Sequence, residues 1–291
     1  MGANVVVLNQ GYDHSFQARE QLLIERLASF DELIVSFSGR LESCYSIDLC
    51  RASGVKIRAI TLDNPTRSRS EVARARRYCQ RYGIEHWIVK SDEIVFCDRL
   101  PNMEGLIDPV RRIGEHVQSR PEWAHLPLLI PAAVEERDDY LAQFGSLPAN
   151  TIWFFADNGV MSRDFRYGFN KRQLGRWGKG SNGCLSNRFT NPRLLKQRYL
   201  RMVDQAEQIL ADMGLDEAQV FFHTLCDCST TLARVRLPEH QRAQAFDMQS
   251  DILSALKGTE FDLVTLDMAQ KERHDLAISR SSLREERGSR T

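Results

Sequence analysis

The 291-residue sequence has no excess of either charge, with 39 Lys and Arg against 39 Asp and Glu. That balance excludes a chain built as a whole to coat nucleic acid or to stay solvated as an acidic tail. No apolar run approaches the ~18–20 residues that a bilayer-spanning helix needs, so no membrane is expected. The apolar stretch within Met1–Gln10 has no cationic flank, which argues against a secretory signal. Cysteine is sparse and odd in number, seven scattered residues with no Cys-x-x-Cys pair. A disulfide scaffold is therefore not expected, and the thiols read as those of a reduced, cytoplasmic protein. There is no internal repeat. Apolar residues are not scarce: they make up 42% of the chain, which excludes wholesale disorder and allows a real core.

Hydrophobic periodicity organises the first half. Ser15–Phe30 carries Leu22, Leu23, Leu27 and Phe30 at helical spacing. Glu32–Phe37 is a short apolar run of the buried-strand kind. A helix to about Ser53, stopped by Gly54, leads into a strand at Lys56–Leu62. A helix over Ser70–Tyr82, ended by Gly83, leads into a strand at Glu85–Val89. Strand, helix, strand, helix, strand with short connections predicts an α/β, doubly wound parallel sheet. Helices are expected near Pro109–Ser119 and Ala132–Phe144, and a fourth strand at Thr151–Ala156. Asp157–Asn182 is rich in Gly, Arg and Asn and reads as a long functional loop or lid.

The last third changes character. Helices over Asn191–Gly214 and Gln241–Leu256, with strands at Gln219–Thr224, Thr231–Leu237 and Phe261–Leu266, predict a smaller C-terminal α+β domain. The expected organisation is a first domain over 1–182, a second over 183–270, and a mobile tail over 271–291. The tail is rich in Arg, Ser and Glu and poor in apolar residues.

Charge is unevenly spread. Val160–Arg201 holds eleven Lys or Arg and one acid, Asp164. Such a segment can be a solvated face or an anion-binding rim. Phe165, Tyr167, Phe169 and Trp177 lie within it and suit nucleotide stacking or ordinary packing equally.

The chemistry-bearing motif follows the first strand: Ser38-Gly39-Arg40-Leu41-Glu42-Ser43, then a helix. A helix N-terminus offers unpaired N–H groups and partial positive charge, Gly39 lets backbone approach an anion, and the two serines add hydroxyls. The Gly-Lys-Ser/Thr ending of a kinase-type phosphate loop is missing.

With three further stretches considered together with this loop, the chain resembles the PP-loop ATP pyrophosphatase superfamily, whose loop reads Ser-Gly-Gly-x-Asp-Ser. It is most similar to the sacrificial sulfur transferase group, the LarE-like proteins. The resemblance runs through ELIVSFSGRLES, AITLDNPTRSRSEVARARRYCQRYGIEH, GCLSNRF, and AEQILADMGLDEAQV through LVTLDM, about two thirds of the chain. Phe96–Trp153 has no counterpart in it.

The resemblance implies an ATP-binding enzyme that cleaves between the α- and β-phosphates with Mg2+. Ser38, Gly39 and Ser43 would hold phosphate. Thr61, Leu62 and Asp63 would lie near adenine and ribose, at the carboxyl end of a parallel strand. Two loop positions depart from the pattern: Arg40 replaces the second glycine, and Glu42 replaces the aspartate with a carboxylate one methylene longer. Arg40 is expected to offer its guanidinium to phosphate. Asp157 and Asn158, after the expected fourth strand, are candidates for magnesium or substrate. Cys184, in GCLSNRF, takes the position of the reactive sulfur, and neighbouring positive charge is expected to favour its thiolate. Glu207 matches an acidic residue near that cysteine. Paired arginines of the family fall on Phe221 and His223, which implies a less anionic acceptor.

The implied activity is adenylation of a carbonyl or carboxylate on a small-molecule acceptor, then replacement of oxygen by sulfur. The sulfur would come from Cys184 itself, or from a donor protein or free cysteine through a persulfide relay. A homo-oligomer is expected and a nucleic-acid partner is not. An amidoligase, a tRNA thiolase and a catalytically decayed nucleotide-binding scaffold are the alternatives. Cys226-Asp227-Cys228 with His223 is a weaker metal or persulfide candidate, since a zinc site needs four ligands at recognisable spacing. Cys44, Cys50, Cys79 and Cys97 read as packing.

Overall fold

A computed structural model describes residues 10–94, 108–178, 183–225 and 229–268. The expected tail over 271–291, Cys97, and the Cys226–Cys228 pair lie outside the described residues. The chain divides into two compact units: Met1–Asn187 with Leu195–Asp204, and Arg188–Leu194 with Gln205–Thr291.

The first unit is built on strands β1 (Glu32–Ser36), β2 (Lys56–Asp63), β3 (Glu85–Lys90), β4 (Leu128–Leu129) and β5 (Thr151–Ile152). All pair in parallel, in the order β3-β2-β1-β4-β5. Helices α1 (Gln10–Leu27), α2 (Leu41–Ser53) and α3 (Arg69–Tyr82) precede or connect the first three strands. Helices α4 (Pro109–Gln118) and α5 (Val134–Phe144) flank β4.

The period-2 alternation of strand side chains sorts the core into two layers. Leu33, Val35 and Phe37 of the first strand run pack with α1, α2 and α3, whereas Ile34 packs with Ile60, Leu62 and the α4–α5 side. The connections therefore switch faces between β1 and β4. The sheet is the doubly wound α/β fold expected from the sequence, and its topological switch point lies beside the end of β1.

Several readings of element type or extent are corrected. The aromatic run after Thr151 is not a strand to Ala156. β5 stops at Ile152, and Phe154–Asp157 forms a short helix, α6. Phe154 and Phe155 both pack in the same core layer, which neighbouring residues of a flat strand cannot do. β4, only two residues long, is too short to leave a periodic signal. The expected loop over Asp157–Asn182 is largely helical where it is described, with α7 (Ser162–Lys171) and α8 (Gly175–Gly178). Phe165 and Phe169, one turn apart, bury the inner face of α7. Gly168 is there for close approach, since a Cβ at that position would lie 2.4 Å from the Tyr45 ring of α2. In the helix expected over Asn191–Gly214, α9 begins only at Gln197 and ends at Asp212. Asn191 accepts from the Arg193 N–H through its side chain and from the Leu194 N–H through its carbonyl, forming a separate turn first.

The second unit carries a three-stranded mixed sheet. β6 (Gln219–Thr224) is antiparallel to β7 (Thr231–Arg236), and β7 is parallel to β8 (Leu263–Leu266). The connection between β7 and β8 is two helices rather than one, α10 (Glu239–Asp247) and α11 (Gln249–Leu256). Nothing in the structure explains the break at Met248. Among the described residues, no helix is long and apolar enough to cross a membrane.

Candidate functional site

The Ser38–Ser43 loop leaves β1 at the switch point. Gly39 adopts φ +73°, and a Cβ there would lie 2.9 Å from the Glu71 carbonyl and 3.2 Å from Ala75. Glycine is thus required twice over, by backbone conformation and by contact with α3. Arg40 is extended at the N-cap of α2, and no side chain caps the helix. The first N–H groups of a 13-residue helix therefore open at this loop.

The loop's own hydroxyls preorganise it. Ser43 Oγ donates to the Arg40 carbonyl at 3.0 Å and lies 2.9 Å from Ser38 Oγ, which accepts the Arg40 N–H at 3.2 Å. Two arginines hold its carbonyls: Arg67 Nη1 donates to Ser38 at 3.0 Å, and Arg74 Nη1 reaches Gly39 at 3.4 Å.

Arg40 and Glu42 take different roles. Arg40 Nε donates to both carboxylate oxygens of Glu71, at 3.0 and 3.1 Å. The Glu71 side chain is 1% exposed, so the guanidinium expected to face phosphate is anchored to a buried acid. No motif in the sequence marks Glu71; its trace there is one acid in the first turn of an arginine-rich helix. Glu42 sits in the first turn of α2. Across the switch point, Glu136 of α5 accepts the Ala133 N–H at 2.9 Å. The Glu136 side chain reaches solvent yet is closely surrounded by protein. Desolvation pushes its carboxyl up, the Ala133 bond opposes this, and the nearby Glu42 charge adds to it.

Of the three residues expected near the nucleoside, two face inward. Thr61 is buried; its Oγ1 donates to the Phe37 carbonyl at 2.5 Å and meets His86 Nε2 at 2.8 Å. Because the single hydroxyl proton is committed to Phe37, His86 carries its proton on Nε2 and donates. Burial lowers the His86 pKa to about 4, with the Arg76 charge adding to the shift. Leu62 belongs to the core on the α4–α5 side. Asp63 alone reaches open space. It pairs with Arg69 Nη1 at 2.5 Å and borders a cleft of about 300 Å³ beyond β2 and β3, also lined by Asn64, Lys90, Asp92, Leu200 and Asp204. The Asp204 carboxylate accepts the Arg69 N–H at the start of α3, and burial pushes its pKa up.

Cys184 is held on the segment that follows β2. The Thr66 carbonyl accepts the Leu185 N–H at 2.8 Å and the Cys184 thiol at 3.7 Å. The adjacent residue, Arg67, binds the Ser38 carbonyl. A single short segment therefore ties the cysteine to the phosphate-loop candidate. Cys184 is 2% exposed, and its Sγ lies 3.0 Å from Ser186 Oγ.

Asp157 pairs with Arg137 at 3.0 Å, and its side chain is 58% exposed. Among the described residues, no group of three or more His, Cys, Asp or Glu is arranged to hold a metal. In the second unit, Glu207 is buried, pairs with Arg188 at 2.6 Å and accepts the Val220 N–H. Phe221 is crossed by guanidiniums from Arg188, Arg234 and Arg236, with the Arg234 and Arg236 groups 4.6 and 4.4 Å from its ring centre. Arg234 is the cross-strand partner of Phe221. Arginine thus stands beside these β6 positions on the neighbouring strand β7.

The basic stretch is also partly spent on structure. Lys171 pairs with Asp13, and Arg172 with Glu20 and Asp48. Phe165 and Phe169 are core residues, and Tyr167 and Trp177 pack against the core. For these four aromatics, ordinary packing prevails.

No family model matches the chain, and no curated protein matches it. Among solved structures, a similar one is a glutamine-dependent NAD+ synthetase from Acinetobacter baumannii in complex with ADP. It has 16% identity, a TM-score of 0.34, and an alignment over 43% of this chain. The chain spans 27% of that synthetase.

Proposed function

We propose that the protein is an ATP-dependent, PP-loop-type enzyme that activates a small-molecule acceptor and introduces sulfur through Cys184. The observation carrying this reading is the loop Ser38–Ser43: a positive-φ glycine and two serines at the uncapped N-terminus of α2, at the switch point of a doubly wound sheet. The tie from Cys184 through Thr66 and Arg67 to Ser38 supports coupling of sulfur chemistry to that loop.

In this reading the α2 N–H groups and the loop receive the triphosphate, and the cleft beside Asp63 takes the nucleoside. The acceptor oxygen attacks the α-phosphorus, and pyrophosphate leaves. The Cys184 sulfur attacks the activated carbon, and AMP leaves with the oxygen. If the cysteine is sacrificed, its Cα–H is removed as a proton, the Cβ–Sγ bond breaks, and dehydroalanine remains. Magnesium usually binds through one or two carboxylates plus substrate phosphates. Glu42 and Glu136 fit that donor set and would hold the ion, which would supply charge neutralisation at the departing pyrophosphate. Asp157, already paired with Arg137, is the weaker ligand.

One observation favours a second reading. Cys184 is 2% exposed, as a packing cysteine is. An amidoligase using an amine as nucleophile would keep the ATP chemistry and dispense with the thiol. Incubation of the purified protein with Mg·ATP and candidate acceptors tests the reading: AMP and pyrophosphate are expected, and ADP as the main product refutes it.

A further inference from the structure

Cys184 and Ser186 are two residues apart in a short 3-10 turn that folds their side chains together. Both are buried, at 2% and 6% exposure, and Sγ and Oγ are 3.0 Å apart. The Thr66 carbonyl lies 3.7 Å from the same sulfur. Either atom of the Sγ–Oγ contact can donate, and a carbonyl can only accept, so one arrangement places the thiol proton on the Thr66 side. The Ser186 hydroxyl is then left to donate its own proton to a sulfur lone pair. When the thiol ionises, the contact with the Thr66 carbonyl turns unfavourable, whereas the contact with the Ser186 O–H becomes a charge-assisted hydrogen bond.

We propose that Ser186 is a positioning residue for sulfur transfer: its hydroxyl donates to the Cys184 sulfur, orients it, and stabilises it in the nucleophilic state. This rests on the reading of Cys184 as the sulfur-handling residue. Ser186 differs from a residue that merely fills space, because its hydroxyl lies 3.0 Å from the reacting atom.

Among the described residues, charged side chains on the segments next to Thr66 and Ser186 are engaged. Arg67 donates to the Ser38 carbonyl, and Arg69 pairs with Asp63. Asp204 accepts the Arg69 N–H, and Arg188 pairs with Glu207. Their influence on the sulfur is therefore common to wild type and to variants at position 186, and a difference between those proteins reports the hydroxyl.

The test is a titration of thiolate ultraviolet absorbance on the full chain. The spectrum of each protein is corrected by the matched protein carrying Cys184→Ser. Loss of one hydrogen bond to a charged sulfur should raise the Cys184 midpoint by about one pH unit in Ser186→Ala. Sulfur transfer below the midpoint should slow about tenfold in parallel. Ser186→Thr keeps the hydroxyl and should restore both. Melting curves establish that the variants are folded, and the threonine variant keeps the test valid if alanine destabilises the turn. An unchanged or lowered midpoint in a folded alanine variant overturns the proposal, because the hydroxyl would then accept from the thiol. Full thionation by Cys184→Ser would instead refute the sulfur-transfer reading, whatever the midpoint does.

Discussion

Arg40→Gly would restore the second glycine of the loop that the sequence resembles, and from the motif alone it should improve the loop. The structure gives the opposite sign. Arg40 Nε makes contacts of 3.0 and 3.1 Å with a Glu71 carboxylate that is 1% exposed. Removing one member of a fully buried ion pair costs roughly 3–5 kcal/mol, because the remaining charge stays buried. The Arg40 side chain is 28% exposed, so part of that cost is already screened, and about 2–3 kcal/mol is expected. Glycine at the N-cap offsets only a few tenths of a kcal/mol. Glu71→Gln alone leaves a partly solvated guanidinium and should cost about 1–2 kcal/mol. The double variant should recover about 1–2 kcal/mol relative to the sum of the single changes, as coupled neighbours do. All four tryptophans, Trp87, Trp123, Trp153 and Trp177, lie in the first unit, so urea unfolding followed by their fluorescence reports on this unit. A stability of Arg40→Gly within about 0.5 kcal/mol of wild type, or no coupling in the cycle, would refute the argument.

Three further outcomes are expected. His86 is held near a pKa of about 4 against 6.5 for a free histidine, so its contribution to stability is complete above pH 6.5 and is lost as pH falls toward 4; the loss should reach about 2 kcal/mol after allowance for partial solvent contact, and His86→Gln should flatten the stability–pH curve over that window. Gly168→Ala forces a methyl to within 2.4 Å of the buried Tyr45 ring and should destabilise the first unit by about 1–3 kcal/mol in the same unfolding assay. Cys184→Ser should abolish sulfur transfer while AMP formation continues, with chromatography of nucleotides and product mass as the readouts; full product from this variant would move attention to Cys226 and Cys228.

Much of the architecture is legible in the sequence because it is local. Apolar runs at Glu32–Ser36 and Lys56–Asp63, the glycines at 54 and 83 that end α2 and α3, and the helical spacing of α9 and α4 are set by neighbours a few residues away. Ser38 and Gly39 were equally visible, since a serine and glycine between a strand and a helix form a local arrangement. What the sequence could not assign depends on distant partners. Phe154 and Phe155 look like strand residues until the core to which both turn is known. The glycines of 157–182 suggest mobility until Gly168 is seen against Tyr45. Arg40 looks like a phosphate ligand until Glu71, thirty-one residues away, closes on it. The two-residue strand β4 exists only because β1 and β5 offer it partners on either side. Cys184 is tied toward the loop at Ser38 by the Thr66 carbonyl, a contact across 118 residues. Short-range periodicity and turn chemistry fixed the elements, while the pairing of buried charge, the direction of each buried hydroxyl and the partners of each carbonyl were decided by tertiary structure, because those groups must find their complements wherever the chain brings them.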